Sequence, residues 1–169
     1  MHWSKLRQLV EERAAPALAG RVRVMVTRYR RAHDQEGRWA IVIDDREIGG
    51  FDTISTFREE ESLINELAVR EKISPREAQP RVKDDMRARA HHTMEDFVRS
   101  LKTYLDTSIE GCLVSKDAVI RSLGFLDARL GKRRLVNLDI EELKTEVERE
   151  CLRARLEAEG MHSTDKRAP

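Results

Sequence analysis

The chain has 169 residues, 40% hydrophobic and 37% charged, with a formal net charge of +1. That length suits one domain with its own core, and the near-neutral total excludes the basic surplus usual in a dedicated duplex-DNA binder. Cys112 and Cys151 stand far apart in no CxxC or CxxH context, which excludes a cysteine zinc knuckle and a redox motif.

Charge is blocky: +3 over residues 1–50, −3 over 51–80, +4 over 111–138 and −3 over 139–169. Such blocks suit internal ion pairs or a charged partner of either sign. The amino terminus becomes charged within five residues, and no stretch approaches the ~18 apolar residues of a membrane span. With only two thiols, these features lead us to expect a cytoplasmic protein without membrane contact.

In chain order, Trp3, Leu6, Val10 and Ala14 recur at helical spacing with Leu9 beside them, and Pro16 and Gly20 close that first helix. Period-two alternation follows, with Val22, Val24 and Val26 on one face and Arg21, Arg23, Met25, Thr27 and Tyr29 on the other. The loop AHDQEG and the run RWAIVID make a hairpin, and a tight turn at 44–46 leads to a third strand around 48–51. On this reading Arg31 pairs with Arg38, which places Arg30 opposite Trp39 for a cation-π contact.

After Phe57 the pattern is helical. A helix over REEESLINELAVREKI precedes a capping box at SPRE (74–77), and Pro80 predicts a fresh start. One further helix then carries Val82, Met86, Ala90, Met94, Phe97, Leu101 and Leu105 until Gly111 breaks it. Ser115 caps the next, with Val119, Ile120, Leu123, Leu126 and Leu130, and Gly131 stops it. Asp139, with Glu142 three residues on, starts the last, whose stripe is Ile140, Leu143, Val147, Cys151, Ala154 and Ala158. The expected fold is α+β: an N-terminal helix, a three-stranded antiparallel β-meander, then four or five helices on one face of the sheet. Residues 1–160 form the domain and 161–169 a disordered tail.

Three constellations could carry function. Arg21, Arg23, Arg28 and Arg31, with Tyr29 to stack a base, could grip phosphates, although acidic neighbours Asp44, Asp45 and Glu47 suit ion pairing better. Lys132, Arg133 and Arg134 follow Gly131 but lack the Walker pattern, and cations beyond a helix C-terminus complement its dipole. His91 and Glu95 are four apart, as are His92 and Asp96, so a metal would need a third ligand such as His33 or Asp34. No GxSxG, GxGxxG or HExxH pattern is present, so the residues imply neither a cofactor nor a catalytic class.

The combination WSKLRQLVEER, GRVRVMVTRYR, GRWAIVIDDREI and IRSLGFLDARLGKRRL resembles an uncharacterised family of small bacterial proteins without an assigned biochemical function. The resemblance spans most of residues 3–135 and implies a bacterial cytoplasmic α+β domain, with Arg28, Tyr29 and LGKRRL inside its signature. It carries no catalytic residue over, and Asp45 stands where such proteins show glycine. The leading expectation is a binding or regulatory protein that works through protein contacts, including self-association through Ile140, Leu143, Val147, Cys151 and Ala154. Nucleic-acid binding through the two basic clusters comes second, and a small enzyme at the hairpin tip and helix histidines third.

Overall fold

A computed structural model describes residues 1–28 and 37–161, and the side chain of Arg28 lies outside that description. Helix α1 (Trp3–Glu12) leads through a 3-10 turn at Pro16–Leu18 into strands β1 (Val22–Arg28), β2 (Gly37–Ile43) and β3 (Arg46–Asp52). The strands pair antiparallel in the order β1-β2-β3. Helices α2 (Thr53–Glu71), α3 (Pro75–Ala88), α4 (Met94–Asp106), α5 (Ile109–Leu113), α6 (Ala118–Leu126), α7 (Lys132–Leu135) and α8 (Glu146–Ala158) follow. The expected α+β order of helix, three-stranded meander and helices is the observed one.

The valine face is packed as its alternation predicts: Val22 and Val24 are buried and Val26 is half-buried, opposite Ile43, Ile41 and Trp39 of β2. Register differs from the sequence reading. Arg38 pairs with Thr27 and Trp39 with Val26, while Arg30 and Arg31, which that reading set opposite Trp39 and Arg38, lie outside the described residues; the indole is wholly buried, stacked on Phe97 with centroids 4.4 Å apart. A bulge between Ile41 and Val42 lets β3 follow β2 while Phe51 and Gly49 face the core. Gly49 is needed there, because a Cβ would lie 2.6 Å from a Val147 methyl on α8.

Edges of the sheet are guarded. The Glu11 carboxylate of α1 accepts the Val24 N–H at 3.1 Å, satisfying a donor that β1 turns away from β2. On the other side α8 packs against β3, and Arg46 bonds Glu150 at 2.7 Å.

Helix boundaries depart from the sequence reading in several places. Ser74 and Glu77 form the expected capping box, but α3 runs through Pro80 without a restart, because the bond it forfeits belongs to the carbonyl of exposed Arg76. The predicted long helix over 82–105 is two helices. A Schellman turn at Ala90, φ +63°, ends α3, with His91 N–H bonded to Met86 O at 2.9 Å, and Thr93 caps α4. Gly111 lies inside α5 rather than ending α4, and Asp117, not Ser115, caps α6, which stops at Leu126 before Gly131. Asp139 caps only a 3-10 turn; α8 begins at Glu146 behind its cap Thr145, whose capping box with Glu148 is buried.

The stripe expected on the last helix, from Ile140 onward, faces inward. Ile140, Val147 and Cys151 are buried and Leu143 and Ala154 pack against the same core. A smaller apolar cluster of Leu67, Ala68, Ala78, Val82 and Met86 holds α2 against α3. No helix among the described residues is long and apolar enough to cross a membrane.

Candidate functional site

The basic residues come first, and most are matched to acids. Arg21 forks onto Asp44 at 2.7 and 2.6 Å and bonds Ala17 O at 3.1 Å. The Asp44 hydrogen bonds raise the Arg21 guanidinium, and the Arg21 bonds lower the Asp44 carboxyl. Arg23 pairs with Asp45 and Arg38 with Glu47. Lys132 bonds Glu159 at 2.8 Å and Arg134 bonds Glu110 at 2.7 Å, whereas exposed Arg133 has no carboxylate partner among the described residues. Arg21 and Lys132 each border the end of α8, under the charges of Glu157 and Glu159 respectively. No described ion pair or hydrogen bond joins the two clusters. Lys132, Arg133 and Arg134 open a one-turn helix instead of trailing one. Tyr29, Arg31 and the Arg28 side chain lie outside the described residues.

The histidines part company at the α3–α4 break. His91 turns to Glu59, at 2.7 Å, and Glu95 does not join it; His92, fully buried, bonds Asp117 at 3.0 Å, and Asp96 is held by Arg87, Arg99 and Thr93. Among the described residues no three His, Cys, Asp or Glu side chains gather to hold a metal ion; His33 and Asp34 lie outside them.

Asp117 Oδ2 also accepts from Ser100 at 2.6 Å, while Oδ1 caps α6. Burial pushes this carboxyl upward, but the bonds to His92, Ser100 and the Ile120 amide outweigh it and hold the group below the usual carboxylate range. Serine and imidazole thus meet through the acid and not each other, so the imidazole is not placed to take the hydroxyl proton. His92 Nδ1 is buried without a partner among the described residues, and the His92 carbonyl receives the Trp39 indole N–H at 2.7 Å. The group ties the helix break to the sheet and to α6.

A second polar hub explains the DARL run. Asp127, 1% exposed, accepts from Tyr104 at 2.6 Å and from the Arg129 guanidinium and amide. Burial opposes its ionisation, but Arg129 and Tyr104 outweigh burial and keep the carboxyl low. Burial, then the bond to Asp127, pushes the Tyr104 phenol far above its usual value. From α8, buried Arg155 donates to the carbonyls of Leu126, Asp127 and Leu130. Ala15 N–H to Leu126 O and Ala128 N–H to Arg13 O, both 2.8 Å, stitch this loop to the end of α1. Arg129 and Arg13 also bond the carbonyls of Thr107 and Tyr104 at the end of α4. The signature loop is therefore a cross-brace of the fold. Burial raises both thiols, Cys112 and Cys151, which marks them as packing groups.

An open apolar cleft of about 830 Å³ is the feature the sequence reading missed. Trp3 and Leu6 of α1, Val26 and Thr27 of β1, and Met94 and Val98 of α4 line it, with Glu95 and Lys102 on its rim. Helical spacing marked Trp3, Leu6 and Met94 only as core positions. Periodicity within one element cannot reveal a concavity whose walls come from three.

These features define a small α+β protein in which helices cover one face of an antiparallel meander. The sequence model of the SF0329 protein family, an uncharacterised family, matches residues 2–156, and the chain belongs to that family. Neither a curated protein nor a solved structure matches it.

Proposed function

We propose that this protein is a binding module that acts through protein contacts, and that the cleft between α1, β1 and α4 receives an apolar segment of its partner. The supporting observation is the cleft itself: about 830 Å³, lined by Trp3, Leu6, Val26, Met94 and Val98. Its volume lies in the range of about 300–1,000 Å³ that recognition pockets occupy. Tryptophan and methionine suit such a surface, one for area, the other for adaptability. The charge pattern supports the same reading, since among the described residues Arg21, Arg23, Arg134 and Lys132, which would serve a polyanion, are neutralised by Asp44, Asp45, Glu110 and Glu159. A bacterial cytoplasmic setting accords with this role, and self-association through α8 does not, because its stripe is spent on the core.

Selection of a displayed random-peptide library against the immobilised protein tests the proposal. Enriched peptides are expected to carry apolar anchors and to lose binding to both Val98→Glu and Trp3→Ala, with circular dichroism confirming that each variant is folded. Failure to enrich any peptide, or enrichment indifferent to both substitutions, overturns it. A low-salt gel shift of DNA or RNA that disappears in Arg133→Ala would favour polyanion binding instead.

A further inference from the structure

Resting on that protein-binding role, we propose that the occupant of the cleft is an amphipathic helix lying along α4, with a basic and an acidic side chain about two turns apart. Helix α4 turns Glu95, Val98 and Lys102 toward the cleft. At i, i+3 and i+7 they share one face and span about 10 Å at ~1.5 Å per residue. The rim is thus acidic at one end, basic at the other and apolar between. A helix with apolar anchors at i, i+3, i+4 and i+7 repeats at the same interval, so its own charges can fall opposite Glu95 and Lys102.

The two rim charges stand out because their neighbours are committed. Asp96 receives Arg87, Arg99 and Thr93, whereas exposed Glu95 and Lys102 have no ion-pair partner among the described residues. Two of the cleft's sides are helices, α1 through Trp3 and Leu6 and α4 through Met94 and Val98, the kind of ridged surface on which a further helix packs. An added strand is the poorer fit: β1 offers its outer edge at Val24, and that N–H already belongs to Glu11 at 3.1 Å.

Affinity would come from burial of the apolar lining, and the rim pair would set the direction in which the helix lies. Exposed ion pairs contribute little, so reversing both charges should change affinity for a matched peptide by only about five- to tenfold.

A helical-scaffold peptide library selected in parallel against the wild-type protein and the Glu95→Lys/Lys102→Glu double variant tests this. Both substitutions lie on the exposed rim and keep the net charge. The expected winners place opposite charges about seven residues apart, in inverted order between the two selections, and each set prefers its own protein five- to tenfold. Winners that lose binding to Val98→Glu yet ignore the charge exchange would sink the helix assignment and leave the protein-binding role standing. Winners enriched in proline-containing, extended sequences from an unstructured library run alongside would likewise overturn the helix. No winners from either library would overturn both.

Discussion

Lys72 closes α2 with φ +54°, and the turn is completed by Ile73 N–H on Ala68 O at 3.1 Å. A side chain in the left-handed region costs about 1 kcal/mol that glycine does not incur. Lys72 is exposed and its side chain makes no hydrogen bond among the described residues, so little offsets that cost. Lys72→Gly is expected to raise stability by about 0.5–1 kcal/mol in urea unfolding; a loss would show that the lysine side chain holds the turn. Ala90 has similar backbone geometry but a different balance, because its methyl is buried in the core. Asp44 and Asp45, at φ +52° and +61°, form the two-residue turn between β2 and β3, and their carboxylates hold Arg21 and Arg23. That these arginines would pair with these acids was legible in the sequence; which arginine meets which acid was not, because β1 joins β2 through the long loop and not through this turn.

Between elements, what could be read in advance was what local chemistry encodes. Period-two valines gave the packed face of β1, and Ser74 with Glu77 gave a cap. The α3–α4 break was hidden because neither glycine nor proline marks it and the apolar repeat from Val82 to Leu105 continues through it. Its cause is tertiary: Trp39 takes the His92 carbonyl and Asp117 takes the imidazole. Register at the hairpin was misread for a related reason, since the long loop does not fix pairing and burial of Trp39 under Phe97 does. Gly49 is another contact set by distance in space. A Cβ there would sit 2.6 and 3.0 Å from the two γ-carbons of Val147, so Gly49→Ala should push α8 off β3 and cost about 1–3 kcal/mol. Shortening the neighbour should relieve the clash. Val147→Ala is expected to destabilise the wild type but much less the Gly49→Ala protein, and a double-mutant cycle of denaturation midpoints with no coupling would refute that contact.

At the scale of the whole molecule, two carboxylates, Asp127 buried and Asp117 mostly so, join parts of the chain that apolar contacts alone would leave free to slide. Asp117 links the α3–α4 break, α4 and α6, while Asp127 links α4 and the α6–α7 loop, with Arg155 of α8 bonding the carbonyls beside it. In both, hydrogen bonds outweigh burial and the folded carboxyl lies below its usual value. A group depressed in this way stabilises the fold above the unfolded value, near pH 4, and its contribution is lost as pH falls through the lower folded value. Stability should therefore be nearly level between pH 7 and 5 as far as these groups decide it, and should drop steeply below about pH 4. Asp127→Asn removes one of these acid-sensitive contributions. It leaves Arg129 without its counter-charge and is expected to cost about 2–4 kcal/mol at pH 7. The same substitution should make the decline below pH 4 shallower than in the wild type, so the two urea-midpoint curves converge as pH falls. Parallel curves from pH 7 to 3 would mean that Asp127 braces the loop without carrying the acid sensitivity, leaving Asp117 as the carboxylate to replace next.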